Sequence, residues 1–157
     1  MQLDIGINQE EYRLWVLLHR TSYAMRRARE LELKETGVSS IQATVLILIK
    51  SSEKPLTVGD ITKSLFREPH TVSGLLSRME KQGLIKRVPA VSGRKRMVIE
   101  ITKIGEEIFH KTRKMKIVHK IMSGLSKKEQ TILKTYLETL RRKSFSESQL
   151  PHEEIFP

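Results

Sequence analysis

The sequence predicts a mostly α-helical chain with one small β-hairpin, in the order ααααββαα. Two observations lead to this fold class. Helix-start signatures recur along the chain, each followed by apolar residues at helical spacing. Two short segments with strand-like composition flank a turn that contains glycine. With 157 residues, the chain is long enough for one domain with its own core.

The first predicted helix runs from Gln9 to about Glu35, and Thr36 and Gly37 end it. More than one of its faces is apolar or aromatic, which predicts packing against two neighbours. The residues on these faces are Tyr12, Leu14, Trp15, Leu17, Leu18, His19, Tyr23 and Met25.

Three further helix starts are marked by a Ser or Thr with an acid or amide three positions later. These pairs are Ser39 with Gln42, Thr57 with Asp60, and Ser126 with Glu129. The first opens a helix through Lys50, although residues 45–49 alone would also fit a buried strand; the cap favours the helix. The second opens a short helix over about 57–65, and the third a last helix to about Lys143.

The central segment contains a helix followed by a hairpin. Pro69 suits a first helical turn, so we expect a helix over 69–82 that ends at Gly83. Residues 85–89 and 97–101 are the predicted strands. Thr102 then caps a helix from Lys103 to about Met122, and residues 144–157 are expected to form a loose acidic tail.

The helix over 69–82 has two contrasting faces. Val72, Leu75, Leu76 and Met79 form an i, i+3, i+4, i+7 stripe that is typical of a core-facing side. The opposite side carries no carboxylate and presents short or polar residues: His70, Thr71, Ser73, Gly74, Ser77, Arg78 and Lys81. Short leading side chains let a helix enter the major groove of DNA, where hydroxyls, imidazole and Arg can meet base edges. Two short helices and a hairpin in this order predict a winged helix-turn-helix.

The charge distribution agrees with a nucleic-acid partner. The chain has 29 Lys and Arg against 18 Asp and Glu, a net charge of +11. Between Arg78 and Arg96 there are seven basic residues and one acidic residue, Glu80. We therefore predict that duplex DNA is contacted by Thr57, Pro69, His70, Thr71, Ser73, Gly74, Ser77, Arg78, Lys81, Arg87, Arg94, Lys95 and Arg96. The basic stretch 111–128 is interpreted instead as a solvated helix face.

Other function classes are less well supported. We find no nucleophile with its base, no carboxylate pair and no phosphate-binding loop, so neither catalysis nor a cofactor is predicted. The five histidines, at positions 19, 70, 110, 119 and 152, are scattered, and no metal site is predicted. Cysteine is absent, the N-terminus does not resemble a signal peptide, and no long apolar run is present, which favours a cytoplasmic protein without a membrane partner. The alternative is an architectural DNA- or RNA-binding protein that uses the same basic surface without sequence preference.

Over nearly its whole length, from the first helix to about Lys143, the sequence resembles the MarR family of bacterial and archaeal transcriptional regulators. The resemblance rests on three segments: Leu56 to Ile61, Thr71 to Arg87, and Ile101 to Gly105. It implies a homodimeric repressor on a pseudo-palindromic duplex operator. Residues 1–36 and 103–143 would form the dimerisation region and residues 37–102 the winged helix-turn-helix. It also implies a small aromatic or phenolic effector bound between the dimer helices and the winged domain.

The hairpin tip departs from the family pattern. Family wings carry Asp-x-Arg before the returning strand, whereas an ungapped match places Gly93 and Lys95 there. One extra residue in the alignment would place Ser92 and Arg94 there instead. We expect Arg94 to enter the minor groove. The absence of cysteine excludes thiol-oxidation sensing.

Overall fold

The structure is a computed structural model that describes residues 8–90 and 96–148. Seven α-helices and three strands lie in these ranges. The helices are α1 (Gln9–Leu33), α2 (Ser40–Ser51), α3 (Val58–Leu65), α4 (Pro69–Lys81), α5 (Lys103–Thr112), α6 (Lys116–Met122) and α7 (Lys127–Ser148). The strands are β1 (Leu56–Thr57), β2 (Ile85–Pro89) and β3 (Met97–Ile101). A mostly helical chain with a small antiparallel sheet confirms the predicted fold class.

The predicted hairpin is part of a three-stranded antiparallel sheet in the order β1-β3-β2. Both hairpin strands have the predicted bounds, and Ile85 lies opposite Ile101. Strand β1, in which Leu56 pairs with Ile99, was not predicted. Two residues are too short to show an alternating pattern, and their partner lies far along the chain. The predicted order ααααββαα therefore lacks one strand.

The core lies between α2, α3, α4 and the sheet. Its fully buried side chains include Leu46, Ile61, Leu76, Met79 and Ile99. The segment 45–49 is helical, as its cap predicted: Ser39 and Gln42 bond each other's backbone N–H groups. The other two predicted capping boxes, Thr57 with Asp60 and Ser126 with Glu129, also form.

The helix predicted over 103–122 is wrong in one respect, because it is broken into α5 and α6. Met115, with φ 43° and ψ 39°, adopts the left-handed conformation at the start of α6. The sequence has no glycine or proline at this break. Contacts from α1 are found on both sides of it instead. Arg29 donates to the carbonyl of Thr112 at 2.6 Å, and the N–H of Ile117 donates to Glu32 at 3.1 Å. We call residues 113–115 the elbow.

The end of the last helix also differs from the prediction. Helix α7 continues to Ser148, five residues beyond the predicted end at Lys143. Residues 144–148 are therefore helical rather than a loose tail, and Lys143 pairs with Glu147 at 2.8 Å across one turn. The rest of the predicted tail lies outside the described residues. In the described part of the chain, no helix has the length and hydropathy needed to cross a membrane.

Glu32 joins α1 to the start of α6 through its carboxylate. Its carboxylate accepts from Arg29 at 2.5 Å, and both side chains are largely buried. Burial acts to raise the pKa of Glu32, but the hydrogen bonds from Arg29 and from the backbone of Ile117 outweigh it and hold the pKa below 4.5. The ionised form of Glu32 is therefore the form that holds α1 to α6.

Gly105 lets α5 pack directly on the backbone of Leu84, in the link between α4 and β2. It is buried, and a Cβ at this position would overlap the carbonyl oxygen of Leu84 and lie 2.7 Å from Ile101. The same junction is held by Thr102, whose hydroxyl donates to the carbonyl of Gly83 at 2.5 Å. Close backbone approach explains why glycine stands here.

We expect Gly105→Ala to lower the free energy of unfolding by roughly 1 to 3 kcal/mol, since the added methyl has to displace backbone. Chemical denaturation of the purified chain measures this effect. Gly59→Ala is the matched control, because its Cβ would meet only the Thr57 hydroxyl at 3.6 Å. An unchanged stability in Gly105→Ala would contradict the packing described for this junction.

Glu32→Gln should lower the free energy of unfolding at about pH 7 by roughly 1 to 2 kcal/mol, because it removes a charged acceptor that is partly exposed. The folded-state pKa of Glu32 lies below the unfolded value, so its stabilisation is present above that value and disappears as the pH falls through the folded pKa. The difference between wild type and variant should therefore shrink as the pH is lowered from neutral into the acidic range. Denaturation curves across this range test it, with Glu35→Gln as the exposed control; a constant difference would refute the assignment.

Candidate nucleic-acid interface

The helix α4 is anchored by the predicted apolar stripe. Val72, Leu76 and Met79 are 0% exposed and Leu75 is 5% exposed. These side chains pack on Ile61 of α3 and on the core beneath it. Pro69 occupies the first turn, as predicted, and Gly83 ends the segment with φ 70°. The stripe therefore holds α4 firmly and leaves its other side facing outward.

That outward side is formed by the predicted polar face. His70, Thr71, Ser73, Arg78 and Lys81 are exposed, while Gly74 and Ser77 are half-buried. In the described part of the chain, the side chains of Arg78 and Lys81 have no hydrogen-bond or ion-pair partner. Short side chains at the start of the helix and two unpaired cations further along give a face that a polyanion can approach.

The capping box at the start of α3 uses the hydroxyl of Thr57, one of the predicted contacts. This hydroxyl donates to Asp60 at 2.6 Å and accepts from the N–H of Asp60 at 3.2 Å. Burial acts to raise the pKa of Asp60, but the hydrogen bonds from Thr57, with the charges of Lys63 and Arg96, hold it below its usual value. Thr57 thus has a structural role, and its contact with DNA stays a prediction.

Arg87 on β2 is bound to α4 rather than free. Its guanidinium donates to Glu80 at 2.6 Å and to the hydroxyl of Ser77 at 3.3 Å, and its backbone N–H donates to Glu80 at 3.2 Å. This ion pair neutralises the one acidic residue within the basic segment. No local pattern predicts the pairing, because seven positions and a change of secondary structure separate the two residues.

Fewer of the basic residues between Arg78 and Arg96 are unpaired in the fold than the sequence count indicates. Lys86 pairs with Glu100 on the opposite strand at 3.0 Å, directly across the ladder. Arg96 is exposed and lies near enough to Asp60 to influence its pKa. The predicted hairpin-tip contacts Arg94 and Lys95 lie outside the described residues. Of the described members of this group, Arg78, Lys81 and Arg96 are not paired with an acid in a salt bridge.

These elements define a winged helix-turn-helix protein. A buried supporting helix, a short turn and a helix with an open polar face precede an antiparallel hairpin, which is the geometry of the winged DNA-binding fold. In the described residues, no group of three or more His, Cys, Asp or Glu side chains is placed to hold a metal ion.

Comparison with known sequences points to one family. Residues 36–96 match a sequence model of the MarR family. The organic hydroperoxide resistance transcriptional regulator of Bacillus subtilis is 30% identical over 141 residues, which cover 85% of this chain and 93% of that relative. YfiV of the same bacterium, an uncharacterized HTH-type transcriptional regulator, is 28% identical over 103 residues, which cover 66% of this chain but only 64% of YfiV.

Comparison with solved structures agrees. The organohalide-sensing RdhR transcriptional regulator, crystallised with 2,4-dichlorophenol, superposes with a TM-score of 0.82 at 22% identity and covers 100% of this chain and 98% of its own. The MepR–DNA complex of Staphylococcus aureus gives a TM-score of 0.75 at 25% identity, over 81% of this chain and 93% of MepR. The chain belongs to the MarR family of transcriptional regulators, and it is a regulator rather than an enzyme.

Proposed function

We propose that the chain is a repressor that binds a pseudo-palindromic duplex site as a homodimer. The observation that carries this proposal is the outward polar face of α4 above a fully buried stripe. With two such helices on a two-fold axis, each would enter a major groove, about 34 Å or 10 bp from the other. The MepR structure, solved on DNA with the same fold, supports this use of α4.

The apolar surfaces of α1 and α7 support the homodimer. Large apolar side chains on these two helices are exposed in the single chain: Tyr12, Leu14, Trp15, Leu17, Tyr23, Met25, Leu31, Ile132, Tyr136, Leu137 and Leu140. Exposed apolar surface of this extent is typical of an oligomer interface. We therefore propose that α1 and the helices after residue 103 form the dimerisation region and that residues 37–102 bind DNA.

Sequence-specific binding is favoured over general coating because acids neutralise two of the basic residues beside α4. In the described residues, Lys86 and Arg87 are paired with acids, which lowers the purely electrostatic affinity of this surface. His70 and Ser73, at the exposed start of α4, are suited to base-edge hydrogen bonds. Such a surface obtains a larger share of its DNA affinity from hydrogen bonds to base edges than a uniformly basic surface does.

A small aromatic effector has a candidate binding groove between α1 and α7, which is not the place between the dimer helices and the winged domain that the family resemblance implies. The groove has a volume of about 640 Å³ and is lined by Trp15, Leu140 and Phe145, with Lys143 at its edge. Glu147 also lines the groove and pairs with Lys143 at 2.8 Å, so the apolar walls suit an aromatic ring and the ion pair at the edge suits a phenol hydroxyl. The chain has no cysteine, so thiol oxidation is not available as a signal. We propose that effector binding releases the DNA.

Two sets of substitutions on α4 should affect DNA binding differently. Arg78→Ala and Lys81→Ala are expected to weaken binding to every duplex and to flatten the salt dependence by roughly 0.9 for each phosphate that is no longer neutralised. Arg87→Ala should also weaken binding, because it leaves Glu80 unpaired beside the DNA. His70→Ala and Ser73→Ala should instead reduce the discrimination between cognate and random DNA by about 1 to 3 kcal/mol.

The measurement is a salt titration of binding to a cognate and to a random duplex. The cognate site comes from footprinting of the DNA upstream of the chain's own gene or from in vitro selection. Lys128→Ala, an exposed lysine on α7, is the control for loss of bulk charge. If both sets reduced cognate and random binding equally, α4 would not read the sequence.

Phenols that release the DNA should change the fluorescence of Trp15, the single tryptophan of the chain and a wall of the groove. The fluorescence change and the release of DNA should saturate over the same concentration range, while a non-aromatic alcohol of similar size causes neither. Release of DNA with unchanged Trp15 fluorescence would place the effector elsewhere.

A further inference from the structure

We infer that Phe145, near the end of α7, is a positioning residue that fixes the DNA-reading helix relative to the dimerisation helices through Phe66. The inference rests on the proposed dimeric DNA binding and adds a specificity-determining contact to it. Phe66 directly follows α3, in the turn that leads into α4 at Pro69. The ring centroids of Phe66 and Phe145 are 4.9 Å apart, with their planes tilted by 35°.

The local structure at Phe66 requires support from outside the turn. Phe66 caps α3 in the left-handed conformation, with φ 49° and ψ 49°, which residues other than glycine and asparagine rarely adopt. Its backbone N–H donates to the carbonyl of Lys63 at 3.1 Å. A bulky aromatic residue at such a position is explained when its side chain has a partner, and Phe145 supplies one.

Helix α7 carries Phe145 in a different environment from its other large apolar residues. Phe145 is half-buried, whereas Tyr136, Leu137 and Leu140 on the same helix are 64%, 45% and 44% exposed. Tyr136 and Leu137 are available to a second chain, while Phe145 contacts Phe66 of the chain's own winged domain and also lines the groove with Leu140. The last turns of α7 thus form a direct contact between the proposed dimerisation region and the helix-turn-helix.

The winged domain is held to the helices outside it at several points. Glu30 of α1 accepts from the N–H and the hydroxyl of Ser40 at the start of α2. Helix α5 pairs with α2 through Lys50 and Glu106 at 2.8 Å and packs on Leu84 just after α4.

At the turn before α4, Phe145 contacts Phe66. A domain held only at α2 and behind α4 could still tilt about these contacts, and this tilt would change the separation of the two reading helices in a dimer. The contact between Phe145 and Phe66 restricts the tilt, so it sets the spacing between half-sites that the dimer accepts.

The test compares operators in which the two half-sites are moved apart or together by one and two base pairs. Wild type should bind the original spacing best. Phe145→Ala should bind that operator less tightly, on the order of three- to tenfold, and should lose much of its preference for it over the shifted operators. Ser146→Ala, an exposed neighbour on α7, is the matched control and should keep the wild-type profile.

A second variant, Phe66→Leu, removes the same ring contact from the side of the winged domain. It replaces Phe145→Ala in the test if sedimentation shows that Phe145→Ala dissociates the dimer. The double variant should lose no more spacing preference than either single variant. A spacing profile that is unchanged in dimeric Phe145→Ala and in Phe66→Leu would overturn the inference. A wild-type chain with no preferred spacing at all would instead contradict the proposed function.

Discussion

The structure depends on one packing interaction, in which one face of α4 is buried against the core. The side chains of this face are Val72, Leu75, Leu76 and Met79. These side chains are almost completely removed from water, and burial of an aliphatic side chain of this size contributes about 1.5 to 3 kcal/mol. The stripe also fixes the rotation of α4 about its own axis. Since the polar face is the opposite side of the same helix, the stripe determines which residues DNA can meet.

Ion pairs then reduce the number of basic residues on that surface that have no acidic partner. The net charge of +11 favours a polyanion, but the fold pairs Arg87 with Glu80 and Lys86 with Glu100. In the described part of the chain, Arg78 and Lys81 on α4 have no acidic partner, and Arg96 on the hairpin is exposed and lies near Asp60. Long-range attraction comes from the whole chain, whereas the local contacts that distinguish sequences come from a few side chains.

Local patterns in the sequence were sufficient to predict most of the helices and strands, but not the contacts between them. The three capping boxes and the stripe on α4 depend on residues three or four positions apart, so the sequence shows them directly. Strand β1, the elbow at Met115 and the Arg87–Glu80 pair depend on partners distant in sequence or on another element, and no local pattern marks them. The contact between Phe66 and Phe145 joins a residue inside the winged domain to one near the end of α7, far away in the sequence, and for that reason neither entered the predicted site.

Placement of α4 in the major groove can be measured directly, because the chain has no cysteine of its own. Ser73→Cys puts a single thiol on the polar face, and an iron chelate attached there cleaves nearby DNA. If α4 lies in the groove, cleavage of the operator should fall in two clusters about 10 bp apart, and the same chelate at Ser144→Cys on α7 should give none. Uniform cleavage along the DNA, or none from position 73 while binding persists, would contradict the central claim that this face of α4 reads the DNA.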